Sequence, residues 1–367
     1  MPVESSVVFS NLRCAPFHEA LEVDPIGSGG CYDAYLCVEI PLPWERDISG
    51  NEPFVGLCKA PAASIVGADG RKWRPQGLVP DAGRGALVQV LAFEQPERAR
   101  TGRAGSSFER REWLVPPEIV SELCAALLGA NDDAIGRLDE FEVTGNGTDR
   151  AGSGEHGGGA GREHRTSELF VCTHGQRDVC CGGSGTSLYM DLTRLTGDGG
   201  GDGDGGGEDG DGQSGEMPSV RRVSHTGGHR FAPTALSFPD GYAWSHLDRR
   251  MALAVATRTV EPAEVLGHIR GSTLFKGGPS QAADRHGLGE VGWAWADAHR
   301  SVELIGFDRR TMATDVLVQG ELADGTRRAF ELRVGIERHV PQITCGVIDS
   351  PEYKVEPVWR VEESRAL

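Results

Sequence analysis

Residues 197–216 contain eleven glycines and seven acids, with no basic or large apolar residue. Chain of that kind cannot bury enough apolar surface to offset its ordering entropy, so it cannot serve as part of a core. A second stretch of the same character, 145–166, is rich in Gly with scattered charge. Together the two divide the 367 residues into segments each expected to be able to bury its own core. That length suits two or three domains. The expected organisation is an N-terminal domain over 1–144, a flexible linker over 145–166, a second domain over 167–275 and an extension over 276–367. The acidic stretch 197–216 is then a surface insertion within the second domain.

The segments read as mixed α/β. Asp33–Pro41 and Ala86–Phe93 have the continuous apolar character of buried strands, and Pro116–Leu128 has helical spacing. After the linker, Glu168–Val171 is a short strand and Ser184–Leu195 a helix, followed by a strand at Val220–Ser224. Ala235–Phe238 and Tyr242–Ser245 flank Pro239-Asp240-Gly241 as a hairpin, and Pro262 opens a helical turn reaching Ile269. The order β-α-β-β-β-α suits a thioredoxin-like unit. The extension reads as a helix over Gln281–His299, two strands around Asp324-Gly325 and an irregular tail.

The formal charge of −17 argues against nucleic acid as a partner, although the acidic insertion alone supplies seven of those charges. No apolar run is long enough for a membrane span, and the N-terminus lacks the basic and apolar regions of a secretory signal. Nine cysteines, an odd number scattered along a long chain, do not resemble a disulfide framework. A cytoplasmic, reducing setting is therefore expected, with neither membrane nor nucleic acid involved.

The cysteines concentrate in V-C-T-H-G-Q-R-D-V-C-C-G-G, residues 171–183, directly after a predicted strand. Cys172 and Cys181 are separated by eight residues; His225 and His229, in H-T-G-G-H after the next strand, are separated by three. With the insertion looped out, two thiolates and two imidazoles make a complete set of four ligands for a borderline metal or a cluster. Gly227 and Gly228 allow a turn tight enough to aim both imidazoles inward, and Gly182 and Gly183 allow close backbone approach to a sulfur. Zinc knuckles of the C-x2–4-C type are absent, and so is a redox C-x-x-C. A Rieske arrangement is imitated by Cys172-Thr-His174, but no Cys-x-x-His completes it. Metal or cluster chemistry fits better than thiol chemistry.

At C-T-H-G-Q-R-D-V-C-C, S-H-T-G-G-H-R-F-A-P and the F-P-D-G hairpin, the sequence resembles the sucrase/ferredoxin-like family of thioredoxin-like ferredoxins. The resemblance is strongest over 167–250 and weaker at Y-L-C-V-E-I-P-L-P-W and at His268–Ser272. It implies a thioredoxin-like ferredoxin domain, preceded by a degenerate thioredoxin-like α/β domain without a cluster. The implied cofactor is a [2Fe–2S] cluster held by Cys172, His225, His229 and either Cys180 or Cys181, the family spacing favouring Cys181. Two thiolates and two neutral imidazoles make such a site less negative than four thiolates, which raises its reduction potential. Arg177 and Arg230, beside the ligand loops, either add to that effect or are simply solvated. The implied role is electron transfer between unidentified donor and acceptor proteins. The alternatives are a structural zinc module on the same four residues, or a redox enzyme or sensor.

Other motifs carry less. Gly182–Gly185 is neither a nucleophile elbow nor a phosphate loop, and no acid stands in a convincing glycosidase pair. Cys14, Cys31, Cys37, Cys58 and Cys124 are expected to be buried thiols, and Cys345 is isolated. His246, His286, His299 and His339 are expected at the surface.

Overall fold

The structure, a computed structural model, describes residues 13–58, 64–95, 107–143, 167–196, 219–345 and 354–367. The predicted linker 145–166 and acidic insertion 197–216 lie outside the described residues. The architecture is mixed α/β, as the strand and helix patterns predict: one large mixed sheet and a separate antiparallel sheet.

The large sheet is built outward from β1 (Ala34–Glu39), in which all six residues are buried. Such a strand must be covered on both faces, which explains its continuous apolar run. It pairs in parallel with β3 (Lys72–Leu78) and antiparallel with β4 (Val88–Glu94), which pairs with β5 (Glu109–Val115). On the far side of β3, Leu78 meets Val223 of β7 (Ser219–Val223). Beyond β7 lie β6 (Glu168–Cys172), β8 (Ala235–Phe238), β9 (Tyr242–Trp244) and β10 (Ile269–Ser272). The sheet thus runs without interruption from the first segment into the second. Aromatic side chains pack along one face across the seam. Phe93 of β4 stacks on Phe238 of β8 with ring centroids 4.1 Å apart, and Phe170 of β6 meets both rings edge-on.

Most predicted elements are present, including a helix at Val120–Leu128 and the hairpin of β8 and β9. Two expectations about the extension need correction. The helix expected over Gln281–His299 is α7 (Gly278–Val291), which ends where Gly292 adopts φ +88°; His299 instead begins a strand. The expected hairpin and irregular tail form a four-stranded antiparallel sheet of β11 (His299–Asp308), β12 (Ala313–Glu321), β13 (Arg327–Gln342) and β14 (Lys354–Ala366). The β13–β14 register shifts twice, between Arg333 and Val334 and between Ile336 and Arg338. The first places an extra residue, Glu362, in β14 and the second an extra residue, Glu337, in β13, so neither strand keeps a continuous period of two.

Helix α7 lies between the sheets, and a buried ion pair fixes the junction. Arg300 of β11 donates to both carboxylate oxygens of Asp284 (2.9 and 3.0 Å) and to the Tyr242 hydroxyl of β9 (2.6 Å). Both charged side chains are fully buried. Trp295 Nε1 donates to the same Asp284 carboxylate, at 3.0 Å.

Candidate metal centre

The cysteine loop folds back on the end of β6. Cys172 is the last residue of that strand, and the chain returns through a π-helical turn, Cys181–Gly185, into α4 (Thr186–Thr196). At Gly185 an added Cβ would lie 1.9 Å from the Cys172 carbonyl oxygen, so only glycine lets the turn touch the strand end. Cys181 thereby comes beside Cys172, and both are fully buried. One of the two glycines expected to cradle a sulfur has a packing role. A Cβ on Gly182 would lie 2.4 Å from the Gly175 Cα, so Gly182 serves loop packing, while a Cβ on Gly183 would meet nothing within 4 Å.

The histidine loop leaves β7 at Val223 and turns through Gly227 and Gly228, whose φ values are +87° and +65°. The turn sets the His225 and His229 rings 6.1 Å apart between centroids, tilted by 38°. His225 is held by its backbone: its carbonyl accepts from Arg74 Nη2 (2.6 Å) and Gln76 Nε2 (3.2 Å), and its N–H donates to His174 Nδ1 (3.2 Å). His174 is buried and donates Nε2–H to the Glu45 carbonyl at 2.9 Å, which fixes its tautomer. In the C-T-H motif, therefore, His174 positions the other histidine.

Arg270, in the fully buried strand β10, clamps the same turn. It donates Nη1 to the Gly227 carbonyl (3.0 Å), Nη2 to the Ser28 carbonyl (2.8 Å) and Nε to Ser28 Oγ (3.3 Å). No carboxylate pairs with it among the described residues. Burial and the Arg230 charge push its pKa down to about 10, while nearby Cys181 and Cys172 oppose the fall.

Three of the four predicted ligands thus share one buried point. A hydrogen bond from Cys181 holds Cys172 well below the ordinary thiol range against the opposing effect of burial, and the His225 ring acts in the same direction as Cys181. Cys181, as donor and buried, is pushed well above that range. Burial pushes His225 down to about 4, so the ring is neutral near pH 7. Its Nδ1 is buried and has no hydrogen-bond partner.

His229 lies alongside, turned toward a second cluster. Its Nδ1 is 2.9 Å from Asp178 Oδ2 and 3.2 Å from Cys14 Sγ. Burial alone would raise the Asp178 pKa, but the hydrogen bond and charge of His229 bring it down to about 2. Around Asp178 gather Cys14 from α1 (Cys14–Ala20), Cys180 and Cys345. The ligand atoms of these four residues lie within 4.8 Å of one another and could hold a metal ion. Adjacent Cys180 and Cys181 therefore face different groups. A hydrogen bond from Cys14 brings Cys180 down to about 6 against burial, and Cys14 is correspondingly raised.

Cys14 and Cys345 correct the sequence reading, since neither is an isolated or merely buried thiol. They are 331 residues apart, and neither sits in a ligand-type motif. Asp178 could have been found, since it lies inside the cysteine loop. Cys37 and Cys124 are buried as expected, and Cys31 and Cys58 are partly so. The arginines beside the loops are paired. Buried Arg230 bonds Glu356 of β14, and Arg177 lies 3.9 Å from Asp47.

Residues 25–271, about two thirds of the chain, match the sequence family described as sucrase/ferredoxin-like. The chain belongs to the sucrase/ferredoxin-like family. The family span contains Cys172, Cys181, His225 and His229, together with Asp178, Cys180 and the Arg270 clamp, but stops short of Cys14 and Cys345. No curated protein and no solved structure gives a significant match. No described helix is long and apolar enough to cross a membrane.

Proposed function

We propose that the protein holds a [2Fe–2S] cluster on Cys172, Cys181, His225 and His229 and carries single electrons between redox partner proteins. One observation carries the reading. Beside two adjacent buried thiols, the His225 ring keeps a buried nitrogen with no hydrogen-bond partner. Leaving such a group unsatisfied costs about 1–3 kcal/mol, a penalty that a metal bond would remove. His229 supports it: with Nδ1 on the Asp178 carboxylate, the ring is oriented and Nε2 is left for a metal, the usual outer hydrogen bond of a ligating imidazole.

When bound, such a cluster accepts and returns one electron. The protein's own groups set how readily that happens. Two thiolates contribute two negative charges and two neutral imidazoles none, so the site is less negative than one with four cysteines. Buried Arg270 adds a positive charge close to both thiolates. His174, Arg74 and Gln76 hold the His225 backbone in place, limiting rearrangement between redox states.

The test is anaerobic purification of the full chain with iron, acid-labile sulfide and visible absorption measured together. About two iron and two sulfide per chain are expected, with the colour lost in Cys172→Ser and Cys181→Ser. Colourless protein with zinc at Cys172, Cys181, His225 and His229 would overturn the reading.

A further inference from the structure

We propose that Cys14, Asp178, Cys180 and Cys345 form a second metal site, holding one zinc ion next to the cluster site and separate from it. Four donors on a single tetrahedral ion must obey fixed spacings. With Zn–S bonds of about 2.3 Å and a Zn–O bond of about 2.1 Å, sulfur–sulfur edges come to about 3.8 Å and sulfur–oxygen edges to about 3.6 Å. The observed sulfur edges are 3.8 Å for Cys14–Cys180, 3.4 Å for Cys14–Cys345 and 3.2 Å for Cys180–Cys345. Asp178 Oδ1 lies 3.8 Å from Cys14 Sγ and 3.5 Å from Cys345 Sγ. Four of these five edges lie within about 0.4 Å of the values for one ion and the Cys180–Cys345 edge is about 0.6 Å short. A disulfide, at about 2.05 Å, would need contraction of every sulfur pair. A multi-iron cluster would need expansion, because it spreads its ligands over several metal centres.

Chemistry and surroundings agree with the spacing. Three thiolates and a carboxylate suit zinc, whereas calcium and magnesium take oxygen donors. The Cys14 thiol, the Cys180 thiol and the Asp178 carboxylate are buried, and Cys345 is partly covered. Backbone amides already point at the donors: Cys14 N–H toward Cys345 Sγ (3.4 Å) and Cys180 N–H toward Asp178 Oδ1 (2.8 Å). His229 Nδ1 donates to the far Asp178 oxygen, the outer hydrogen bond expected of a ligating carboxylate. The ion would join α1, the cysteine loop and the segment after β13. Two of its four ligands thus come from chain outside the family span.

The experiment measures zinc and iron separately on the full chain, so that the fates of the two sites are distinguishable. Wild type is expected to contain about one zinc per chain. Cys345→Ser is the informative variant, because the contacts of Cys345 are to Cys14, Cys180 and Asp178 rather than to His229. It should lose at least tenfold in zinc affinity and keep the visible spectrum. Cys180→Ser should behave likewise, while Cys181→Ser should lose colour and keep zinc. Cobalt added to zinc-stripped protein should give thiolate-to-cobalt absorption that vanishes in Cys345→Ser. Zinc without iron that is lost in Cys345→Ser and kept in Cys181→Ser would end the cluster reading and leave this site standing. Wild type that binds neither zinc nor cobalt, a Cys180–Cys345 disulfide in the purified protein, or zinc unchanged in both Cys180→Ser and Cys345→Ser would overturn it.

Discussion

Replacing Gly228 by alanine should damage the histidine loop more than the same change at its neighbour Gly227, and the structure sets the difference. Both glycines have positive φ, +65° and +87°, where a side chain costs about 1–2 kcal/mol. Only at Gly228 does the new methyl also collide with something that cannot yield. Its Cβ would lie 2.3 Å from Arg270 Cζ and 2.5 Å from Nε and Nη2, against 3.5 Å from Nη2 at Gly227. The guanidinium is fixed by Gly227 and by the carbonyl and hydroxyl of Ser28, and the residue is only 1% exposed. Moving it breaks at least one charged hydrogen bond, about 1.5–3 kcal/mol. Gly228→Ala should therefore cost about 3–5 kcal/mol and Gly227→Ala about 1–2 kcal/mol. Equilibrium urea unfolding of the two variants, followed by tryptophan fluorescence, measures the gap. In an Arg270→Ala background the excess at position 228 should largely disappear, as a double-mutant cycle would show. Equal costs at the two positions, or an excess that survives removal of the arginine, would refute the clash mechanism.

Two further outcomes follow from buried charge. Burial lowers the pKa of His18, His174, His225, His246 and His286, so between about pH 6.5 and the folded values the unfolded chain binds more protons. In cluster-free protein, where the ring is not ligated, stability is full above about pH 6.5 and falls as the pH drops; His225, at about 4 when folded, accounts for about 2 kcal/mol between pH 7 and 5. A urea midpoint that does not move over that interval would contradict this. Arg270→Gln, which removes a buried positive charge beside the thiolates, should lower the reduction potential of the proposed cluster by tens of millivolts, on the order expected for a charge at partly screened range. A potential that rises or stays level in electrochemical titration would show that the guanidinium is screened from the site.

What could be read from the sequence follows from how local each signal is. Strands β1 and β4 are legible because burial on both faces leaves an apolar run, and the two ligand loops because their residues fall within a few positions of one another. Strand β14 is hidden by a register shift at Glu362, and β11 by helical-looking sequence that actually stops at Gly292. Cys14 and Cys345 are harder still. Their meeting depends on α1 and the end of β13 arriving at one place in three dimensions, and no spacing rule spans 331 residues. The joining of the two segments through a Leu78–Val223 pair is equally non-local. The His174 role is concealed in another way, because a histidine two residues from a predicted cysteine ligand looks like a ligand until its ring nitrogens are traced.

The order of these groups along the chain also imposes a timetable. A ribosome delivers Cys172, Cys181, His225 and His229 first, and Cys345 only 116 residues after His229. At typical rates of synthesis that gap is on the order of ten seconds. The donors of the proposed cluster site are thus presented before the strand carrying Glu356 can reach Arg230 and before Cys345 can join Cys14 and Cys180. If the site takes up a cluster, uptake on the nascent chain would precede the tie between β14 and the histidine loop. A cluster taken up later would meet that loop with β14 already tied to it through the Arg230–Glu356 pair.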